Sequence, residues 1–483
     1  MTDLALRPAH ALIAMMDAGE TTSRELLDLY LERVERLNPA LNAVVTLDPE
    51  RARSRADDAD AARRRGEIWG PLHGLPMTVK DCFETAGLRT TSGATTCADH
   101  VPTRDADAVE RLLEAGAVLF GKTNLPEFAM DWQSSNAIFG TTNNPWDMSR
   151  TPGGSSGGSA AATAAGLTGL ELGSDIGGSI RIPSHLCGIF GHKPSWGVVS
   201  QRGHIPGLPG SRIQTDINVI GPMARSADDL ELALDVLAGP APEHASAWTL
   251  RLPRPRRRSL ADYRVAAWLD DPACPVDPRI RERLEATVEG LRSAGVRVAD
   301  RAQPPAELAE MLRLYRRLLA PVTTVIMDDA QFASFEQLAT SLPEEDEFAE
   351  FSRDAVATHH AWLVAHEARL ALRERWADFF GEHDLLLCPV SPFIAIPHDH
   401  RQPMNTRTVM VAGRERSYLD QFAWMGPFGA LGLPASVAPA GRTEEGLPVG
   451  IQIVGPPYGD RSTIDFARGL SAACGGFEAP PGT

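Results

Sequence analysis

Short apolar runs alternate with amphipathic stretches along most of this chain, and that alternation restricts the fold more than any other feature. Ala43–Leu47 (AVVTL), Leu75–Lys80 (LPMTVK), Ala117–Phe120 (AVLF), Leu167–Leu172 (LTGLEL), Tyr263–Leu269, Leu385–Pro389 and Val449–Gly455 read as strands buried on both faces. Between them lie helical patterns at 49–65, 105–115, 159–165 and 278–294. The first helix is placed at 22–37. Thr22 and Glu25 fit a capping box, Leu26, Leu29, Tyr30, Val34 and Leu37 recur at helical spacing, and Pro39 is expected to stop it. Strands and helices in alternation indicate an α/β fold around a largely buried sheet.

Two zones depart from the pattern. From Ala302 to Phe380 the chain is charged, helical and without an obvious strand, which suits a helical layer over the sheet. From Trp196 to Gly221 it is rich in Gly and Pro, which suits a loop wall. With no internal repeat or convincing linker, the expectation is one domain over residues 1–483, elaborated by a variable, mostly helical region at about 240–380.

A formal charge of −16 argues against a surface built to neutralise phosphates. The one basic run, Arg254–Arg258, is broken by Pro255 and reads as a solvated loop. The cysteines at 82, 97, 187, 274, 388 and 474 lack the short paired spacing of a zinc or redox site. The first twenty residues do not have the form of a signal peptide, and no apolar stretch reaches the roughly 18 residues of a membrane span. A cytoplasmic protein is expected.

Chemistry is concentrated in two Gly/Ser-rich segments, TPGGSSGGSAAATAAG at 151–166 and GSDIGGSIRIPSHLCGIFGHKPS at 173–195. Glycines let backbone N–H groups converge, so the stretch Asp175-Ile176-Gly177-Gly178-Ser179 could offer several donors to one developing oxyanion, with the Ser179 hydroxyl beside the attacked carbon. Either segment alone also reads as a turn or a linker; two of them, each running into apolar or small-residue sequence, argue against a linker. A serine nucleophile needs a proton acceptor. His185 and His192 are near in sequence, and Lys80 ends an apolar strand beside Asp81; each also has a purely structural reading.

Two other motifs fail on context. GAVLFGKT at 116–123 has P-loop spacing, but its intervening residues are themselves the strand. GSSGG at 154–158 has the form of a nucleophile elbow with Ser156 at its centre, but no strand precedes it.

Taken in order, GPLHGLPMTVKD (70–81), GKTNLPEF (121–128), TPGGSSGGS (151–159), GSDIGGSIRIP (173–183), GPMARSADDL (221–230) and GLPVGIQIVG (446–455) resemble the amidase signature family. The resemblance implies a central mixed, twisted β-sheet covered by helices on both faces. It implies a catalytic set of Lys80 as base, Ser155 as bridging serine behind a cis peptide from Gly154, and Ser179 as nucleophile. The oxyanion hole would be formed by the N–H groups of Ile176, Gly177, Gly178 and Ser179. Intervals of 75 residues from Lys80 to Ser155 and 24 from Ser155 to Ser179 are those such enzymes typically show. Lys80 would have to be neutral, its pKa lowered by burial from about 10.4.

The family acts on primary amides, anilides, fatty amides and, in some members, esters or carbamates. It also includes the glutaminase subunit of the tRNA-dependent amidotransferase. That subunit typically carries a polar run similar to FASSLDQIGP before its Gly-Pro motif; here GHIPGLPGSRIQTDINVIGP stands instead. This apolar loop points to a bulky or hydrophobic secondary amide, with a carbamate or ester as variants, and leaves the glutaminase role as the alternative. A catalytically silent scaffold would require a lost Lys or Ser, and neither is lost. Met130, Trp132, Gly154, Ile205, Leu208, Phe393, Phe422 and Trp424 are the candidate pocket residues. No cofactor and no metal are implied. The expected partner is a small-molecule amide alone, without nucleic acid or membrane, a homodimer being the one assembly allowed for.

Overall fold

A computed structural model describes residues 4–206, 208–255, 257–299, 304–343 and 347–483. Gly207 of the Gly/Pro-rich loop, Arg256 of the basic run, and residues 302–303 and 344–346 of the helical zone lie outside the described residues.

The apolar runs are strands, as their β-branched and aliphatic content favours. Three of them, β1 (Val44–Leu47), β2 (Pro76–Lys80) and β3 (Val118–Thr123), form a small sheet in the order β1-β3-β2. Here β3 runs antiparallel to β1 and parallel to β2. Eight more build the central sheet: β4 (Glu171–Asp175), β5 (Phe190–Lys193), β6 (Val219–Ala224), β7 (Arg264–Ala267), β8 (Arg297–Ala299), β9 (Leu385–Pro389), β10 (Ala435–Arg442) and β11 (Pro448–Val454). Their order is β8-β7-β9-β11-β10-β5-β6-β4. The pairs β8/β7 and β7/β9 are parallel and the remainder antiparallel, so the sheet is mixed. Helices flank it, and β2, β4, β9 and β11 are buried along their whole length.

Helix α1 (Ser23–Leu41) starts at the expected capping box: Thr22 Oγ1 accepts from the Glu25 N–H at 3.1 Å, and Glu25 Oε2 accepts from the Thr22 N–H at 2.9 Å. Pro39 does not stop it. The helix runs two residues further and closes at left-handed Asn42, whose N–H reaches the Asn38 carbonyl. Near its C-terminus the missing Pro39 N–H interrupts the ladder for only one bond. The strand expected at 167–172 is also displaced to 171–175. Arg225 draws the carbonyls of Thr168 and Gly169 out of any ladder, and Thr168 caps the N–H of Thr78. Strand character therefore begins at Glu171, where pairing with β6 starts.

The helical zone holds α2 (Leu308–Thr323), α3 (Asp329–Ser341), α4 (Glu347–Ala355) and α5 (His359–Glu382). Tyr315 and Leu318 on α2 are fully buried against Ile217 and Ala430, so this layer is fastened to the core rather than appended.

Candidate active site

The small sheet and the central sheet meet where β2 lies beside the edge strand β4, and the chemistry-bearing residues collect at that seam. Thr78 on β2 bonds Glu171 on β4. Two residues on, Lys80 ends β2 with its ammonium nitrogen fully buried, donating to Ser155 Oγ at 2.7 Å and to Ser174 Oγ at 3.0 Å. Burial pushes Lys80 down to about 8, against the pull of Cys82, Asp175 and Glu171. The Gly154–Ser155 peptide is cis. Ser156, the centre of the nucleophile-elbow pattern, is fully buried and gives its N–H to the Ser179 carbonyl at 3.1 Å, which ties the two Gly/Ser-rich segments together.

Beyond β4 the chain turns through Ile176–Ser179 into a helix at Arg181–Cys187. Asp175 organises the turn. Its carboxylate accepts the N–H of Gly178 at 2.9 Å and of Ile180 at 3.1 Å, and it pairs with Arg181 at 2.8 Å. Burial alone would raise the Asp175 carboxyl, but the Arg181 guanidinium and these N–H groups outweigh it and hold the group at about 2. Gly178 has φ +99°, and a Cβ there would lie 2.2 Å from Met425 Sδ, so only glycine fits. Its N–H is engaged by Asp175, which corrects the four-donor expectation to three. The N–H groups of Ile176, Gly177 and Ser179 have no acceptor among the described residues. Ser179 Oγ likewise has no hydrogen-bond partner among them, so the structure joins Lys80 to Ser155 and leaves the Ser155-to-Ser179 step open.

Both histidines near Ser179 in sequence are bonded elsewhere. His185 is fixed by the Gly450 N–H at 2.8 Å and the Phe393 carbonyl at 3.2 Å, and burial lowers it to about 4. His192 lies between Ser436 and Asp460. The P-loop spacing is likewise accounted for: Gly121, Lys122 and Thr123 are residues of β3, and Lys122 donates to the Phe83 carbonyl. Among the described residues no group of three or more His, Cys, Asp or Glu side chains could hold a metal ion.

A cavity of about 350 Å³ opens over Ser155, Ser174 and Ser179. Met130, Trp132 and Phe422 line it as expected. The other candidates do not. Gly154 packs against the Asp131–Trp132 backbone, where a Cβ would stand 2.8 Å from a carbonyl oxygen. Ile205 is buried with its N–H on the Cys82 carbonyl, and Leu208 is 62% exposed outside the cavity. Phe393 belongs to a neighbouring core cluster. Trp424 is fully buried, donates to the Cys274 carbonyl and packs edge-on against Trp268. It stands in the turn that follows the 3-10 helix Tyr418–Phe422, two residues past Phe422, with its side chain turned to the core while Phe422 faces the cavity.

Sequence reasoning missed Ser174 and counted Asp175 only within the donor stretch, not as the carboxylate that organises it; the one signal for either was its place at the end of the strand feeding the glycines. It also missed the far wall, formed by Leu319, Val322, Ile326, Met327, Phe335 and Phe351 of the helical zone. The apolar run LLAPVTTVIM at 318–327 was the available clue.

A buried lysine touching a serine, beside a second serine set among N–H groups that have no acceptor among the described residues, is an arrangement suited to acyl transfer. The family model described as Amidase matches residues 25–464, and the chain belongs to the amidase signature family. The A component of the Glutamyl-tRNA(Gln) amidotransferase of Chloroflexus aggregans is 34% identical, over 96% of this chain and 95% of that protein. A crystal structure of an amidase superposes with TM-score 0.77 at 31% identity, covering 97% of this chain and 99% of the other. A 6-aminohexanoate cyclic dimer hydrolase, solved with its substrate, gives TM-score 0.79 at 26% identity over 99% of both chains. The first of these relatives overturns the partner expectation of a lone enzyme meeting only a small amide and no nucleic acid. It is named as one subunit of an enzyme whose name carries a tRNA. Overall acidity was a poor guide because net charge does not report how charge is distributed over a surface. Among the described residues no helix is long and apolar enough to cross a membrane.

Proposed function

We propose that this chain cleaves the carbon–nitrogen bond of an amide through an acyl-enzyme on Ser179. The observation that carries the reading is the fully buried contact of Lys80 with Ser155, next to three backbone N–H groups without acceptors among the described residues. Neutral Lys80 takes the Ser155 proton while Ser155 takes that of Ser179, and Oγ adds to the carbonyl carbon. The N–H groups of Ile176, Gly177 and Ser179 hold the oxyanion. The proton returns through Ser155 to the leaving nitrogen as the C–N bond breaks. Water then releases the acid from Ser179.

Two readings of the amide follow. The relatives in sequence support the better-backed one, in which the amide is glutamine and the chain is the ammonia-releasing component of an amidotransferase acting on glutamyl-tRNA(Gln). The cavity supports the second, a bulky apolar amide, because Trp132, Phe422, Leu319, Val322, Phe335 and Phe351 dominate its walls. The purified chain is to be assayed for glutaminase, alone and with the remaining amidotransferase components and glutamyl-tRNA(Gln), and in parallel with p-nitroacetanilide. Ammonia release that requires the other components supports the first reading; anilide cleavage without glutaminase in any mixture replaces it with the second. Loss of neither activity in Ser179→Ala would remove the acyl-enzyme altogether.

A further inference from the structure

The three N–H groups of the nest that have no acceptor among the described residues can act together only if the peptide planes that carry them are held still, and two aromatic side chains from distant parts of the chain grip the two planes that flank Gly177. In a trans peptide the carbonyl and the following N–H point in opposite directions, so fixing one aims the other. The Tyr315 hydroxyl donates to the Ile176 carbonyl at 3.3 Å, which turns the Gly177 N–H away from Tyr315. The next peptide is held at both ends: Trp132 Nε1 donates to the Gly177 carbonyl at 2.9 Å, and Asp175 accepts the Gly178 N–H. Phe422 packs against both clamps, with ring centroids 4.4 Å from Trp132 and 5.4 Å from Tyr315. A Cβ on Gly177 would stand 2.7 Å from Tyr315 Oη and 3.0 Å from the Phe422 ring, so the glycine is what lets the hydroxyl reach the backbone.

We infer that Tyr315 is a positioning residue of the oxyanion nest: together with the Trp132 indole it fixes the peptides on either side of Gly177, so that the Gly177 N–H meets the developing oxyanion. Tyr315 lies on α2 of the helical zone, and Leu319, Val322 and Thr323, about one and two turns further on, line the cavity. One helix thus forms a wall of the substrate cavity and holds a donor of the reaction. The inference rests on the acyl-enzyme reading above.

The test measures labelling of the full chain by an alkyl fluorophosphonate, whose phosphoryl oxygen occupies the oxyanion position, with the maximal rate and the half-saturating concentration determined separately. Tyr315→Phe keeps the ring and removes only the hydroxyl. It is expected to lower the maximal labelling rate about tenfold, less than the hundredfold or more typical of losing a direct oxyanion donor. Half-saturation should stay within about twofold, and affinity for an alkyl trifluoromethyl ketone, which binds as a tetrahedral adduct, should fall in parallel with the rate. A maximal rate within twofold of the unsubstituted chain overturns the inference, as does a change confined to half-saturation. Should Tyr315→Phe not fold, Trp132→Phe carries the same expectation for the maximal rate, and an unchanged rate there overturns it. Absence of labelling in the unsubstituted chain overturns the acyl-enzyme reading and this inference with it, a result distinct from normal labelling that Tyr315→Phe leaves untouched.

Discussion

Lys80 can accept a proton only as the neutral amine, and burial has brought it down to about 8. The neutral fraction rises with pH, so acylation of Ser179 should rise about tenfold per pH unit below 8 and level off above it. Fluorophosphonate labelling between pH 6 and 10 would check this, and a rate flat across that range would show that Lys80 is not the base. Gly178 offers a second test at the same scale. Gly178→Ala must carry φ +99° and move Met425, and should destabilise the fold by about 1–3 kcal/mol while also slowing acylation. Urea unfolding and labelling rate measure the two effects independently. Lys80, Ser155 and Ser179 were singled out together by motif order; the local sequence, a lysine closing an apolar run and glycines beyond the needs of packing, left the base open between Lys80, His185 and His192. Ser174, Asp175 and Tyr315 left no such mark. Asp175 acts on residues three, five and six positions ahead, whereas Ser174 and Tyr315 act through contacts that close only in space, over separations of 94 residues for Lys80 to Ser174 and 139 for Tyr315 to Ile176.

Among the elements, most strands and helices could be placed from apolar periodicity, and the exceptions have local causes. Thr168 and Gly169 give their carbonyls to Arg225, a partner 57 and 56 residues away, so an apolar pattern there does not become a strand. The end of α1 was misplaced because a proline in a last turn costs little. Its start was correctly placed because the cap is written within four residues. Thr22→Ala should cost about 1 kcal/mol by exposing the Glu25 N–H. The signature is a lower urea midpoint with an unchanged denaturant slope. The cavity wall contributed by α2 to α4 was hidden for the opposite reason: its apolar residues read as packing until the core cluster and the cavity could be told apart.

At the scale of the molecule, three buried lysines share one consequence. Burial brings Lys80 and Lys122 to about 8 and Lys193 to about 7, whereas each returns to an ordinary lysine value on unfolding. Above those folded values the unfolded chain binds more protons than the native one, so stability rises with pH. The urea midpoint should therefore be higher at pH 8 than at pH 7; a fall over that interval would show that these amines are not held neutral. Buried thiols oppose the trend from about pH 8.5 upward, where a thiol of the unfolded chain ionises while Cys82, pushed up to about 11 by burial, keeps its proton.

The seam between the two sheets bears on how such a protein comes into being. Lys80 belongs to the small sheet, while Ser174 and the nest belong to the large one, whose strands β10 and β11 come from the last fifty residues. A nascent chain that has completed only its first sheet owns a base with nothing to activate. Hydrolytic power is thus withheld until synthesis is nearly finished, and recovery of labelling after dilution from urea would time the docking of one sheet on the other rather than the appearance of secondary structure.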